Sequence, residues 1–369
     1  MKIAIFQRDN YRFSPFSGHL RRSIPEFIKC NCEVHVIYSS KEDVSLTPLG
    51  AVSHVFGQWL SFLKFVPKHY LAISQLIFFF NKEKPDVVFA KGLSFGVPVL
   101  LARIFSFHKP KIYVSLHSLP TNDIEYKVQR SYIFFSYLAK YVALNADQVF
   151  AISKAVKREY EEITGTTKIK ILYDPVIASD FSNFRFKVDN ADLGFFEINN
   201  VKKILAVGRL APEKDYPTLI KAFNELVADI DAFLYIIGDG FLKEELICLV
   251  KNLNLDGRVF FLGRKDDVYS YMKFCDVFVL SSRYEGLSNV IVEALACGAK
   301  VVSTNCGGPA DILADGIYGD LVPVGDVLKL KEAINKKIHL ESCRDASKKR
   351  SDVFLASNYV KEIIDCFNS

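Results

Sequence analysis

Short apolar runs alternate with longer amphipathic stretches along this chain. KIAIF (2–6), EVHVIYS (33–39), PDVVFAK (85–91), KIYVSLH (111–117) and ADQVFAIS (146–153) are rich in Val and Ile and predict buried strands. SGHLRRSIPEFIK (17–29), VPVLLARIFSF (97–107) and SKAVKREYEEI (153–163) predict helices among them, the last with Ser153 as N-cap. The pattern then breaks. DPVIASDFSNFRFKVDNADLGFFEINN (174–200) has little periodicity and several turn residues, as a linker and domain edge would. A second series follows, with strands at KKILAVGR (202–209), AFLYIIGD (232–239), GRVFFLG (257–263), DVFVLSS (276–282) and AKVVST (299–304). Helices are expected at 216–229, 243–254, 288–298 and 326–338. Strands alternating with helices make βαβ units and parallel sheets, so the fold class is α/β with two sheets of similar make.

The length of 369 residues agrees with two domains, and a 50% hydrophobic content supplies ample core. The eight cysteines are scattered, and the Cys30–Cys32 spacing matches no zinc or redox motif, so reduced core thiols are expected. The strand that opens the sequence leaves no apolar segment of export type. The longest apolar stretch, YLAISQLIFFFN (70–81), is shorter than the roughly 20 residues a bilayer span needs. Charge is unevenly placed. Residues 1–180 hold 23 Lys and Arg against 15 Asp and Glu, whereas residues 181–369 hold 24 against 27. A basic first half favours an anionic partner: lipid, nucleic acid or phosphate.

Candidate chemistry gathers at strand ends of the second half. LAVGRL ends in Gly208 and Arg209, with Lys214 five residues on; YIIGDG carries Gly238; VFFLGR ends in Gly263 and Arg264; VLSSRYEGLSN carries Glu285 and Gly286 into a helix start. Ligands of such sheets bind at the carboxyl ends of strands. A guanidinium forks onto phosphate oxygens and an ammonium adds a point charge, so Arg209 and Lys214 read as a diphosphate clamp. The helix start after EGLSN offers free amides to the same anion. Gly286 and Ser288 mark a turn and a helix cap, so Glu285 is expected in the strand-to-helix loop. Glu293 falls inside the helix among Val290, Ile291, Val292, Ala294 and Leu295, where a carboxylate is costly unless it is bonded or reaches water.

VGRLAPEKDYPTLIKAF, IGDG, FLG and SSRYEGLSNVIVEALACGAKVVSTNCGGPADIL together resemble the family 4 glycosyltransferases, retaining enzymes of the GT-B fold. PDVVFAKG, VSLH and ADQVFAISKAVKREY extend the resemblance into the first half. It implies two Rossmann-like domains facing across a cleft: an acceptor-binding domain over 1–180 and a nucleotide-sugar-binding domain over 181–355. A C-terminal helix over 356–369 would return to the first. The resemblance implies that Arg209 and Lys214 neutralise the donor diphosphate and that Glu285 bonds a donor-sugar hydroxyl. Amides from Gly286, Leu287, Ser288 and Asn289 would hold phosphate or sugar, and Glu293 the ribose. The segment carrying Arg264 and Val268 would meet the base, Gly208, Gly238 and Gly263 would line the donor, and His117 would face the sugar from the first domain. Gly18 would let the first helix approach the reaction centre. Two departures stand out: the family commonly has asparagine where YDPV places Asp174, and its glycine pair near Gly18 is single here.

The implied reaction moves a hexose or N-acetylhexosamine, with retention, from a nucleotide-sugar such as a UDP-sugar to a glycan acceptor. A polyprenyl-diphosphate-linked oligosaccharide of lipopolysaccharide or capsule synthesis is the expected acceptor. A GDP-mannose-dependent mannosyltransferase and a non-catalytic nucleotide-sugar-binding protein are the alternatives. No cofactor and no metal are expected, because protein cations take the metal's place; Asp229-Ile230-Asp231 precedes a strand and reads as a surface loop. An epimerase or dehydrogenase would need an opening G-x-G-x-x-G, which the first strand lacks. The aromatic and basic stretches 58–80 and 126–144 predict either core helices or a monotopic surface against an anionic membrane. The surface reading rests on Lys64, Lys68, Lys127, Arg130 and Lys140 beside Trp59, Phe62 and Phe65. The resulting expectation is a cytoplasmic protein, peripheral on the inner face of the cytoplasmic membrane, with no nucleic-acid partner.

Overall fold

The computed structural model describes residues 1–6, 15–38, 50–56, 72–118, 129–186, 201–340 and 344–369, without the side chains of residues 15–17 and 129–132. The chain forms two compact units, one of Met1–Ser179 with Phe354–Ser369, the other of Asp180–Val353.

In the first unit the strands are β1 (Lys2–Phe6), β2 (Glu33–Tyr38), β3 (Ala51–Val55), β4 (Val87–Lys91), β5 (Lys111–Leu116), β6 (Gln148–Ala151) and β7 (Ile169–Ile171). They make one parallel sheet in the order β3-β2-β1-β4-β5-β6-β7. Its helices are α1 (Pro15–Lys29), α2 (Ile73–Glu83), α3 (Leu93–Phe105), α4 (Gln129–Asn145) and α5 (Lys154–Thr164). Ser153 caps α5 as its sequence suggests, accepting from the Val156 amide at 3.2 Å, and Gly165 closes the helix in the left-handed region.

The second unit repeats the plan. Its strands are β8 (Lys202–Val207), β9 (Ala232–Ile237), β10 (Val259–Gly263), β11 (Val277–Leu280), β12 (Val301–Thr304) and β13 (Asp320–Val322). They lie parallel in the order β10-β9-β8-β11-β12-β13. Helices α6 (Tyr216–Leu226), α7 (Lys243–Asn252), α8 (Tyr269–Phe274), α9 (Asn289–Ala296), α10 (Gly308–Ile312), α11 (Val327–His339) and α12 (Arg344–Ser351) accompany it. The last helix, α13 (Ala356–Asn368), belongs to the first unit. Its Tyr359, Val360 and Ile363 join the core built by Ile3, Leu20 and Phe27, and its end accepts hydrogen bonds from Tyr113 (3.0 Å to the Cys366 carbonyl) and Lys111 (2.9 Å to the Phe367 carbonyl).

Each sheet reverses its strand order once: between β1 and β4 in the first unit, between β8 and β11 in the second. These switch points are where open parallel sheets bind ligands, at the carboxyl ends of the strands. Both functional clusters below lie there.

Several elements went unread in the sequence. Strands β3, β7 and β13 are short and lie at sheet edges, where the apolar run is too brief or too mixed to show. Helices α8, α10 and α12 span two turns or fewer. The stretch 174–200, expected as a plain linker, carries structure at its start. There Phe181 and Phe184 pack edge-on against Tyr269, with ring centroids at 5.1 and 5.0 Å. Among the described residues, all seven cysteines are free thiols. No helix among those residues is long and apolar enough to cross a membrane.

Candidate active site

In the second unit, the turn after β8 carries the cations. Gly208 is required here: a Cβ on it would meet the Tyr216 hydroxyl at 3.1 Å and Lys214 Cε at 3.4 Å. Lys214 therefore passes over the Gly208 backbone, and its Nζ donates to Glu285 Oε1 at 2.5 Å. The same oxygen accepts from the Ser282 hydroxyl at 2.9 Å. Arg209, with its side chain 71% exposed, pairs with Glu213 at 2.6 Å. Glu213 is tied to the other strand end, because its carbonyl accepts from the Arg283 amide at 2.8 Å. The Ser281 hydroxyl likewise donates to the Lys214 carbonyl at 2.8 Å. Both expected clamp residues are thus paired with carboxylates, one of them Glu285 itself.

Glu285 lies in the loop between β11 and α9, as its neighbouring glycine suggests, and is pinned by backbone. Its amide donates to the Cys306 carbonyl and its own carbonyl accepts from Gly308, each at 3.0 Å. Gly308 permits this approach, since a Cβ there would lie 2.4 Å from the Leu287 carbonyl oxygen. Glu293 sits in α9, half-buried beside the buried Ile291, Val292, Ala294 and Leu295. The expected Ser288 cap is not made. Ser288 adopts φ +89°, its hydroxyl makes no cap hydrogen bond, and its buried Oγ has no hydrogen-bond partner among the described residues. A left-handed backbone swings the hydroxyl away from the first turn of the helix, and the Ile291 amide donates to the Ser288 carbonyl at 3.2 Å instead.

The other glycines divide by role. Gly238, at φ +143°, would place a Cβ 1.9 Å from the Gly208 carbonyl oxygen, so it lets β8 and β9 end side by side. Gly263 ends β10 at φ +68° and its carbonyl accepts from the Gly238 amide at 2.8 Å. Arg264 is exposed beyond it and Val268 stands at the N-cap of α8. Gly286 and Leu287 lie in the turn before α9, and Asn289 is its first residue. Asp229 and Asp231 lie at the amino end of β9, opposite the strand ends that carry the clamp, paired with Lys331 at 2.5 Å and Arg258 at 2.8 Å. Among the described residues, no group of three His, Cys, Asp or Glu is placed to hold a metal ion.

In the first unit, three strand ends and a helix converge on a buried polar cluster. His19 follows Gly18 in α1, Lys91 ends β4, Ser115 and His117 come from β5 and its end, and Asp174 follows β7. The His117 ring contacts Asp174 Oδ2 through Nδ1 at 3.1 Å and Ser115 Oγ through Nε2 at 2.7 Å. Asp174 also lies 3.5 Å from His19 Nδ1 and 3.9 Å from Lys91 Nζ. Burial pushes the Asp174 carboxyl up, but His19, His117 and Lys91 outweigh it and hold it well below the usual carboxylate range. Burial takes His19 down to about 3, against the pull of Asp174, so this ring is neutral near pH 7. Gly18 stands in the first turns of α1, where a Cβ would meet only the flexible Arg22 guanidinium, at 3.2 Å. Among the described residues, packing does not demand a glycine there.

Sequence reasoning missed Glu213, Ser281 and Ser282 around the clamp, and Lys91, His19 and Ser115 around His117. The quoted motifs contain Glu213, Ser281, Ser282, Lys91 and Ser115 but assign them no role; only the strand topology brings them together.

The family model described as Glycosyltransferase Family 4 matches residues 18–179, and that described as Glycosyl transferases group 1 matches residues 189–352. The chain belongs to the family 4 glycosyltransferases. Family membership extends to individual relatives. The chain is 37% identical over 151 residues to the N-acetylgalactosamine-N,N'-diacetylbacillosaminyl-diphospho-undecaprenol 4-alpha-N-acetylgalactosaminyltransferase of Campylobacter jejuni, covering 41% of each chain. It is 35% identical over 161 residues to the lipopolysaccharide core biosynthesis glycosyltransferase LpsE of Rhizobium meliloti, covering 44% of this chain and 46% of that one. The match therefore spans less than half the length of these two curated relatives. The capsular polysaccharide biosynthesis glycosyltransferase CapM of Staphylococcus aureus is 24% identical over 88% of this chain and 86% of its own. The fold is that of Anabaena Alr3699/HepE, solved in complex with UDP, at a TM-score of 0.79, 21% identity and full coverage of both chains. The fold class is therefore GT-B.

Proposed function

We propose that this chain is a retaining glycosyltransferase that moves a hexose or N-acetylhexosamine from a UDP-sugar to a polyprenyl-diphosphate-linked glycan. The observation that carries the reading is the Lys214–Glu285 pair at the β8–β11 switch point, beside Arg209 and the uncapped start of α9. In the transfer, the bond from the anomeric carbon to the diphosphate oxygen breaks and a bond to the acceptor hydroxyl oxygen forms on the same face. The acceptor proton leaves with the diphosphate. Negative charge grows on the leaving group, and Arg209, Lys214 and the α9 amides would stabilise it without a metal. The nucleotide would shift Lys214 from Glu285 toward phosphate and free the carboxylate for a sugar hydroxyl. Glu293 would take the ribose, and His117 would face the sugar from the first unit. Relatives named for lipid-linked and lipopolysaccharide substrates support the acceptor class, and a neighbour solved with UDP supports the nucleotide.

The membrane part of the reading rests on the first unit. Lys64, Lys68, Lys127, Trp59, Phe62 and Phe65 lie outside the described residues, and of Arg130 only the backbone is described. On the outer face of α4, Ile133, Phe134, Tyr137 and Leu144 are exposed beside the exposed Lys140. Phe105 and Phe107 at the end of α3 extend the apolar surface, whereas α2 buries Leu76, Phe79 and Phe80 and exposes Phe78. Such a face fits an anionic interface.

The test is a panel of nucleotide-sugars with purified protein, following slow donor hydrolysis and transfer to a lipid-diphosphate glycan. Release of UDP, with the anomeric configuration kept in the product, is expected. Release of GDP from GDP-mannose alone would redirect the donor, and binding without any turnover would make the chain a non-catalytic nucleotide-sugar binder. Sedimentation with anionic vesicles, reversed by salt, checks the membrane surface.

A further inference from the structure

The switch point of the first unit holds a charged group the reaction above does not use. Lys91 ends β4 with its side chain 1% exposed, and its Nζ has no hydrogen-bond partner among the described residues. Its neighbours are the Asp174 carboxylate at 3.9 Å and the face of Tyr359, whose ring centroid lies 5.4 Å away. A buried ammonium is costly unless an opposite charge compensates it. Asp174 is that charge, and it is equally buried. The geometry points to Asp174 as a positioning residue for His117, with Lys91 as the counter-ion that keeps it ionised inside the unit.

A carboxylate only accepts hydrogen bonds, so the proton of the neutral His117 ring must sit on Nδ1, facing Asp174. Nε2 is then the acceptor, and the Ser115 hydroxyl at 2.7 Å is its donor. The chain Ser115–His117–Asp174 has the order of a hydrolytic triad, but Ser115 is buried in the middle of the sheet and is no nucleophile. Its role is to complete the tautomer. The other groups facing Asp174 are His19 from α1 and Tyr359 from α13; Arg22 of α1 acts on His19 and donates to the Pro175 carbonyl at 3.4 Å. The aspartate therefore comes with its own cation. The pair is a unit: the carboxylate without Lys91, or Lys91 without the carboxylate, leaves one charge buried alone.

This inference rests on the functional reading only in making His117 a site residue; the tautomer can be measured without activity. Long-range nitrogen–proton correlation spectra of the full-length protein at pH 8 identify which ring nitrogen of His117 bears the proton, with His117→Gln giving the assignment. The wild type is expected to show protonated Nδ1. Asp174→Ala should convert His117 to the Nε2–H form. The double variant Lys91→Met/Asp174→Asn, in which the amide oxygen still accepts and no charge is buried, should keep Nδ1–H. Its kcat should lie about 5-fold or more above that of Asp174→Asn alone, in which Lys91 is stranded. Protonated Nε2 in the wild type, or an Nδ1–H form that survives Asp174→Ala, overturns the proposal. So does a double variant no better than Asp174→Asn. Should Asp174→Ala fail to fold, the wild-type tautomer and the double variant still decide. Correct tautomers in a protein that transfers no sugar would instead refute the functional reading.

Discussion

The two switch points solve the same problem in opposite ways. In the second unit, Lys214 and Arg209 are balanced by Glu285 and Glu213 in loops that remain partly open to solvent. In the first unit, Lys91 and Asp174 balance each other inside the protein, with His19 and His117 around them. An ion pair near the surface is cheap to open, because water replaces the lost partner. A buried pair is not, since separating it strands a charge. The difference suggests which unit is built to exchange partners with an anion and which to hold a side chain still.

The comparison breaks most directly at Lys214. Lys214→Ala should lower kcat by on the order of 10²-fold at saturating donor, because a charge aimed at a developing anion contributes several kcal/mol. Near-normal turnover would remove the second unit's pair from the chemistry.

Glycines sharpen the contrast. Gly238→Ala places a Cβ 1.9 Å from a backbone oxygen in the second unit, and chemical denaturation should show a loss of about 2 kcal/mol or more. Gly18→Ala meets only a flexible guanidinium and sits within a helix, so stability should rise by about 0.5 kcal/mol. If Gly18 is kept open for substrate, transfer by Gly18→Ala falls even so. Unchanged transfer would leave this glycine without a functional role.

The smallest effect is in acid stability, and it belongs to the first unit. His19 falls to about 3 through burial, and His54 to about 4 through burial and the neighbouring His35. An unfolded histidine binds its proton near pH 6.5, so below that value the unfolded chain carries more protons than the folded one. Stability should therefore fall as pH drops from about 6.5 toward 4. The fully buried His19 contributes about 1 kcal/mol between pH 7 and 5.5. Asp174, depressed instead, keeps its contribution above about pH 4 and loses it only below. Urea titrations at pH 7 and 5.5 should show a drop that shrinks in His19→Asn; an equal drop would place the titrating groups elsewhere.

Much of this was legible in the sequence, for reasons that differ by unit. Strands such as KIAIF and AFLYII are buried on both faces, so continuous apolar runs announce them. Edge strands such as AVSHV and DLV are short or mixed, and nothing local distinguishes them from loop. The clamp was legible because its parts follow glycine-marked strand ends: Gly208 before Arg209, Gly286 after Glu285. The cap at Ser288 was misread because a serine before a helix usually caps it, and only the observed backbone torsion shows that this one does not. The pairing of Lys214 with Glu285, 71 positions apart, and of His117 with Asp174, 57 apart, depends on strand order, which periodicity does not encode. Asp174 was visible as a departure from the family pattern, but the meaning of that departure needed Lys91 beside it.

The account's central claim is that the second unit holds a nucleoside diphosphate with protein cations alone. Isothermal titration of UDP into the full-length protein in excess chelator tests it. Binding should occur without metal and weaken about 10-fold or more in Lys214→Ala and in Arg209→Ala, as expected for the loss of one charge-assisted phosphate contact. Absence of UDP binding until manganese is added, or equal affinity in both variants, would contradict it.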